Sequence, residues 1–113
     1  MKLIDQIIEH IQSKKGRSIS VLNLTKLTAI SDYFVICSAD SEPQVKAIAD
    51  EIVKKLADEG IKCYHKEGYD TLNWVLLDYL DVVVHVFRNE ARRFYNLERL
   101  WADAEIKEIP DVD

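Results

Sequence analysis

Glycine is scarce in this chain, with only Gly16, Gly60 and Gly68 among 113 residues. Isolated glycines cannot form the Gly-rich turn whose backbone amides cradle a phosphate, and no GxxxxGKS/T, GxSxG, HExxH or CxxC pattern occurs. Cysteine is as sparse. Cys37 and Cys63 fall in separate strand-prone runs, which predicts two buried free thiols rather than a disulfide or a redox pair. No apolar run approaches the roughly 20 residues of a membrane-spanning helix. The opening Met1-Lys2-Leu3-Ile4-Asp5-Gln6 places charge too early for a signal segment, so a cytoplasmic protein without a membrane partner is expected. A basic surplus is also missing. With 20 acidic and 15 basic side chains the net charge is -5, which argues against a broad nucleic-acid surface. Lys14-Lys15-Gly16-Arg17 reads as a helix end and loop. An acidic domain of this kind is better matched to a basic protein partner.

What the chain does contain is enough for one domain. It is 48% hydrophobic and 31% charged, with no repeats or linkers and room for a single core. Leu3, Ile4, Ile7, Ile8 and Ile11 recur at helical spacing and predict a helix over 2–14 that stops near Gly16. Alternation predicts a strand over 18–24, and the connection 25–32 is expected to carry Leu27 and Ile30 inward. Tyr33-Phe34-Val35-Ile36-Cys37 is a β-prone run expected to pair with the first strand. Ser41 and Gln44 have capping-box spacing, Pro43 suits a first turn, and Val45, Ile48, Ala49, Ile52 and Leu56 mark the buried face of a second helix ending at Gly60. A short strand follows at 61–64. Asn89 is placed to cap a last helix in which Phe94, Leu97, Leu100 and Trp101 recur at helical spacing. Residues 108–113 read as a short acidic tail after a domain over 1–107. The order is helix, strand, strand, helix, strand, strand, strand, helix: an α/β domain with a mixed central sheet flanked by helices.

The run from Trp74 to Phe87 organises the rest. Two β-branched and aromatic stretches separated near Asp78-Tyr79-Leu80-Asp81 predict adjacent strands with a bulged or slightly extended turn. Val75 and Leu77 have one alternation parity, while Trp74, Leu76 and Asp78 have the other. If the first pair faces the core, an aromatic, an aliphatic and a carboxylate side chain share the less buried face. With Tyr69 nearby in sequence, that face is either an interaction surface with aromatic anchors or a face covered by a helix of the same domain.

Catalytic chemistry has weaker support. His10, His65 and His85 lack zinc-ligand spacing, and His85 between Val83 and Phe87 reads as a structural, hydrogen-bonded histidine. Asp32, Asp78 and Asp81 are conceivable magnesium ligands for nucleotidyl transfer. Turn formation and strand termination explain them more simply. No catalytic, metal or cofactor-binding residue is assigned.

Five segments carry a resemblance. They are Ser31-Asp32-Tyr33-Phe34-Val35-Ile36, Val45-Lys46-Ala47-Ile48-Ala49-Asp50, Trp74-Val75-Leu76-Leu77-Asp78-Tyr79, Asp81-Val82-Val83-Val84-His85-Val86-Phe87 and Arg93-Phe94-Tyr95-Asn96-Leu97-Glu98-Arg99-Leu100-Trp101. In this order they resemble the ribosomal silencing factor, or Iojap-like, family. The resemblance implies a nucleotidyltransferase-like topology without the active site. It also implies binding to the large ribosomal subunit through its fourteenth protein, a block on joining of the small subunit that represses translation, and a homodimer off the ribosome. Trp74, Leu76, Asp78 and Tyr79 match the contact segment, and Tyr69 and Leu80 flank it. Two departures stand out. Leu80 occupies a position where the family usually has glycine, and Ala39-Asp40-Ser41 stands where it usually has Gly-Thr-Ser. A magnesium-dependent nucleotidyltransferase-like enzyme and a dimeric scaffold without ribosome binding are the alternatives.

Overall fold

Isoleucines spaced by helical turns build the first layer. In α1 (Lys2–Ser13) Ile4, Ile7 and Ile11 return to one side of the helix and are buried there. In α2 (Glu42–Asp58) Val45, Ile48, Ala49, Ile52 and Leu56 do the same. Each isoleucine, leucine or valine among them, fully buried, contributes about 1.5–3 kcal/mol. The start of α2 is held as its sequence predicts: Ser41 Oγ accepts the Gln44 amide at 3.3 Å, and Gln44 Oε1 accepts the Asp40 amide at 2.7 Å. The structure, a computed structural model, describes residues 1–112.

Both helices lie on one face of a six-stranded sheet of order β3-β4-β5-β2-β1-β6. The strands are β1 (Arg17–Asn23), β2 (Tyr33–Ala39), β3 (His65–Glu67), β4 (Trp74–Asp78), β5 (Val82–Arg88) and β6 (Glu105–Ile109). Only β2 and β5 pair in parallel, Tyr33 opposite Val82 through Ala39 opposite Arg88, while the other neighbours are antiparallel. The central β5 is buried from Val82 to Phe87. Its unbroken apolar run is what a strand covered on both faces requires. Val82, Val84 and Val86 meet α1 and α2 in one core. On the reverse face Phe87 joins Leu22, Leu24, Ile36 and Leu97 in a second, smaller core. That core is covered by two short helices, α3 (Asn89–Tyr95) and α4 (Leu97–Leu100).

The mixed α/β architecture matches the expectation, and several local expectations are corrected. Leu27 and Ile30 point outward, 42% and 80% exposed. Their loop is held instead by backbone bonds, Leu24 N–H to the Asp32 carbonyl and Leu27 N–H to the Leu24 carbonyl. The third strand begins at His65, not Ile61, and Cys63 is only half-buried, whereas Cys37 is fully enclosed and burial raises its thiol to about 12. The expected last helix is broken where Asn96 adopts a left-handed φ of 47°, leaving Phe94 and Leu100 exposed. Beyond it, residues read as the approach to a tail form β6, antiparallel to β1. The expected boundary at 107/108 therefore falls inside a strand. Asp111 is also tied back, accepting the Ser18 amide at 2.8 Å and pairing with Arg17 at 3.3 Å. Asp113, the last residue of the expected tail, lies outside the described residues.

Candidate protein-docking face

Strand alternation sorts the six sequence-predicted residues. Trp74, Leu76 and Asp78 alternate with the buried Val75 and Leu77 and lie half-buried on the α3 side of the sheet. Tyr79 has the opposite parity. Its ring enters the α1/α2 core, 5% exposed, and burial pushes its phenol above the ordinary value. It is therefore enclosed rather than displayed. Tyr69 also packs at the margin of that opposite core, with Lys66 Nζ 5.9 Å from its ring centre. Leu80 stands at the tip of the β4–β5 connection, 53% exposed. The structure thus brings Trp74, Leu76 and Asp78 together, sets Leu80 at their end, and separates Tyr69 and Tyr79 from them.

Trp74 is held from several sides. Its indole Nε1 donates to His85 Nδ1 at 3.0 Å. Its ring lies against Phe87 at 4.8 Å and Tyr95 at 4.9 Å between centres. Gly68 makes the backbone approach possible: its φ is +93°, and a Cβ there would stand 1.8 Å from the Trp74 carbonyl oxygen. Accepting at Nδ1 places the proton of neutral His85 on Nε2. That Nε2 is buried and has no partner among the described residues. Phe34 approaches the imidazole edge-on at 4.5 Å, and Phe87 stacks on it at 6.3 Å. In this apolar enclosure desolvation lowers the His85 pKa from 6.5 to about 3. Through that hydrogen bond the histidine holds the Trp74 ring in place.

The covering helices divide the face rather than close it. They shield Phe87 and part of Trp74, but Phe94 is 81% exposed and Tyr95 48% exposed. The two rings meet edge-to-face at 5.0 Å. An aromatic row therefore runs Phe87–Trp74–Tyr95–Phe94, buried at one end and open at the other. Helices of the same domain thus cover part of this side of the sheet and leave the rest open. The sequence puts Phe94 at helical spacing with Leu97, Leu100 and Trp101. The helix breaks at Asn96 before that stripe is complete, so Phe94 stays outside the core.

Arg92 fixes α3 in place. Its guanidinium donates to the Ser18 carbonyl, to Ser38 Oγ at 2.9 Å and to Ser20 Oγ at 3.2 Å. It also pairs with Glu98 at 3.2 Å. One side chain thus joins α3 and α4 to β1 and β2, with its planar fork satisfied. The turn under the face is built similarly. Asp78 Oδ1 accepts the Leu80 amide at 2.8 Å, and Ser31 Oγ donates toward the Leu80 and Asp81 carbonyls. Asp78 thereby does the turn-forming work expected of it. Leu80 itself sits at φ 70°, a left-handed conformation unfavourable to a branched L-residue.

Comparison with known proteins agrees with this architecture. The family described as "Ribosomal silencing factor during starvation" matches residues 1–113. The chain is 41% identical over 111 residues to Ribosomal silencing factor RsfS of Halalkalibacterium halodurans, covering 98% of this chain and 95% of that protein. A mouse relative named Mitochondrial assembly of ribosomal large subunit protein 1 is 32% identical over 103 residues, covering 87% of this chain and 44% of that protein. A crystal structure from Chromobacterium violaceum superposes with a TM-score of 0.87 at 36% identity, covering 89% of this chain and 84% of that one. Sequence and fold agree over nearly the whole chain, and the chain belongs to the ribosomal silencing factor family.

Proposed function

We propose that this chain represses translation by docking the Trp74 face on a basic protein of the large ribosomal subunit, the fourteenth of that subunit, and blocking the small subunit. The observation that carries the proposal is the half-open aromatic row. Phe94 and Tyr95 stand outside the core, and behind them Trp74 is fixed by His85 and Phe87. Large aromatics on a rigid support lose little entropy when a partner covers them, which is how interface anchors gain affinity. The chain's net charge of -5 favours a basic partner. The large-subunit wording in the mouse relative's name points to the same particle.

Repression then needs no reaction. A body measuring 33 × 33 × 29 Å, seated where the subunits meet, would hold their surfaces far beyond hydrogen-bond reach. The role is regulatory, in the cytoplasm with the ribosomes. Off the ribosome we propose a homodimer, because the open aromatic row is a surface that a second chain would cover.

Co-sedimentation with purified large subunits, paired with a subunit-joining assay, tests the reading. Phe94→Ala removes an exposed ring, so folding should change by no more than about 0.5 kcal/mol. Loss of an anchor should weaken large-subunit binding by about 2 kcal/mol, roughly thirtyfold, and restore joining in parallel. A folded Phe94→Ala chain that binds and blocks as well as the parent would sink the proposal.

A further inference from the structure

We propose a second binding surface on the opposite side of the sheet: the groove between α2 and β3 takes an acidic, partly apolar, extended segment of a protein partner. Two adjoining hollows of about 340 and 570 Å³ share Val53 and Lys66 as lining. Val53, Ala57, Ile61 and Cys63 supply the apolar floor. Lys54, Lys62 and Lys66 stand around it, all exposed. None of the three lysines has an ion-pair partner among the described residues. Asp50, the carboxylate on the wall, is already engaged by Lys46 at 2.6 Å. On a molecule of net charge -5, this groove is a local concentration of free positive charge over apolar carbon.

Backbone geometry adds the preference for an extended partner. β3 is the terminal strand of the sheet, only three residues long, and its outer edge has no neighbour among the described residues. An edge of this kind can accept one more strand through main-chain hydrogen bonds. Lys66 belongs both to β3 and to the groove. A strand added there would direct alternate side chains toward the α2 side, apolar ones to the floor and carboxylates to the lysines. Nucleic acid fits less well, because Tyr69, with Lys66 over its ring, is a single aromatic among the lining residues and offers bases no row of stacking rings.

The probe is a fluorescein-labelled synthetic peptide alternating aspartate or glutamate with valine, compared with a counterpart carrying lysine in place of each acid. Anisotropy measures binding to the full chain, and amide chemical-shift mapping locates it. The acidic peptide should bind, shift the amides around Ile61, Cys63 and Lys66, and weaken as salt rises. Lys54→Ala, Lys62→Ala and Lys66→Ala should each reduce affinity about two- to fivefold. Ala57→Glu, an exposed helix position that can change without unfolding the chain, places a carboxylate on the floor and should reduce it about tenfold or more. Phe94→Ala should leave peptide affinity unchanged, so failure of the ribosome-docking reading and failure of this one are distinguishable. The proposal is overturned if the acidic peptide does not bind, if its shifts map elsewhere, if the lysine peptide binds equally, or if a single-stranded oligonucleotide displaces it.

Discussion

His85 makes the stability of this protein depend on acid in a way that can be worked out. In the folded chain the imidazole is held neutral among Phe34, Trp74 and Phe87, with its pKa lowered from 6.5 to about 3 by desolvation. The unfolded chain takes up a proton as pH falls below 6.5, whereas the folded chain does so only near 3. Folding stability from this group is therefore fully present above about pH 6.5 and lost progressively on acidification through that window. At about 1.4 kcal/mol per pH unit, the loss is roughly 2 kcal/mol at pH 5 and approaches about 5 kcal/mol near pH 3. Against a typical total of about 5–15 kcal/mol, that is a large share. His85→Asn keeps an acceptor for the Trp74 indole without a group that titrates. Urea unfolding followed by tryptophan fluorescence, from about pH 7.5 to 4.5, should show the variant losing about 2–3 kcal/mol less than the parent. Profiles that run parallel within about 0.5 kcal/mol would refute the idea that His85 is held neutral by its enclosure.

Leu80→Gly should raise stability by about 0.5–1 kcal/mol, because relief of left-handed strain outweighs the added freedom of glycine in the unfolded chain; a lower thermal midpoint would contradict this. Arg92→Lys cannot reproduce the fork that reaches three serines and Glu98, and should cost about 2–4 kcal/mol. Hydrogen exchange should show that loss as faster opening of α3 and α4, whereas uniform destabilisation without it would count against Arg92 as the tie.

The chain alone determined the features that depend on local pattern. Ile4, Ile7 and Ile11 at helical spacing, Ser41 with Gln44 at a helix start, and the opposed parities of Trp74 and Val75 each have one good local solution, and the structure adopts it. The resemblance carried by the blocks around Trp74 and Phe94 was legible in the same way, because it lies in residue order. Where nothing local chose, the tertiary structure decided. β6 has weak strand character of its own and exists because β1 offers it an edge. Leu27 and Ile30 are apolar, but their loop is held by backbone bonds that leave those side chains outside. Leu80 takes a left-handed turn because Asp78, Ser31 and Asp81 hold the loop on both sides. The proposed docking face follows the same division. Alternation put Trp74, Leu76 and Asp78 on one side of a strand, but only packing could tell that α3 would cover half of that side and leave Phe94 and Tyr95 standing at its border. Alternation is a property of one strand, whereas exposure depends on which distant segment arrives to cover it.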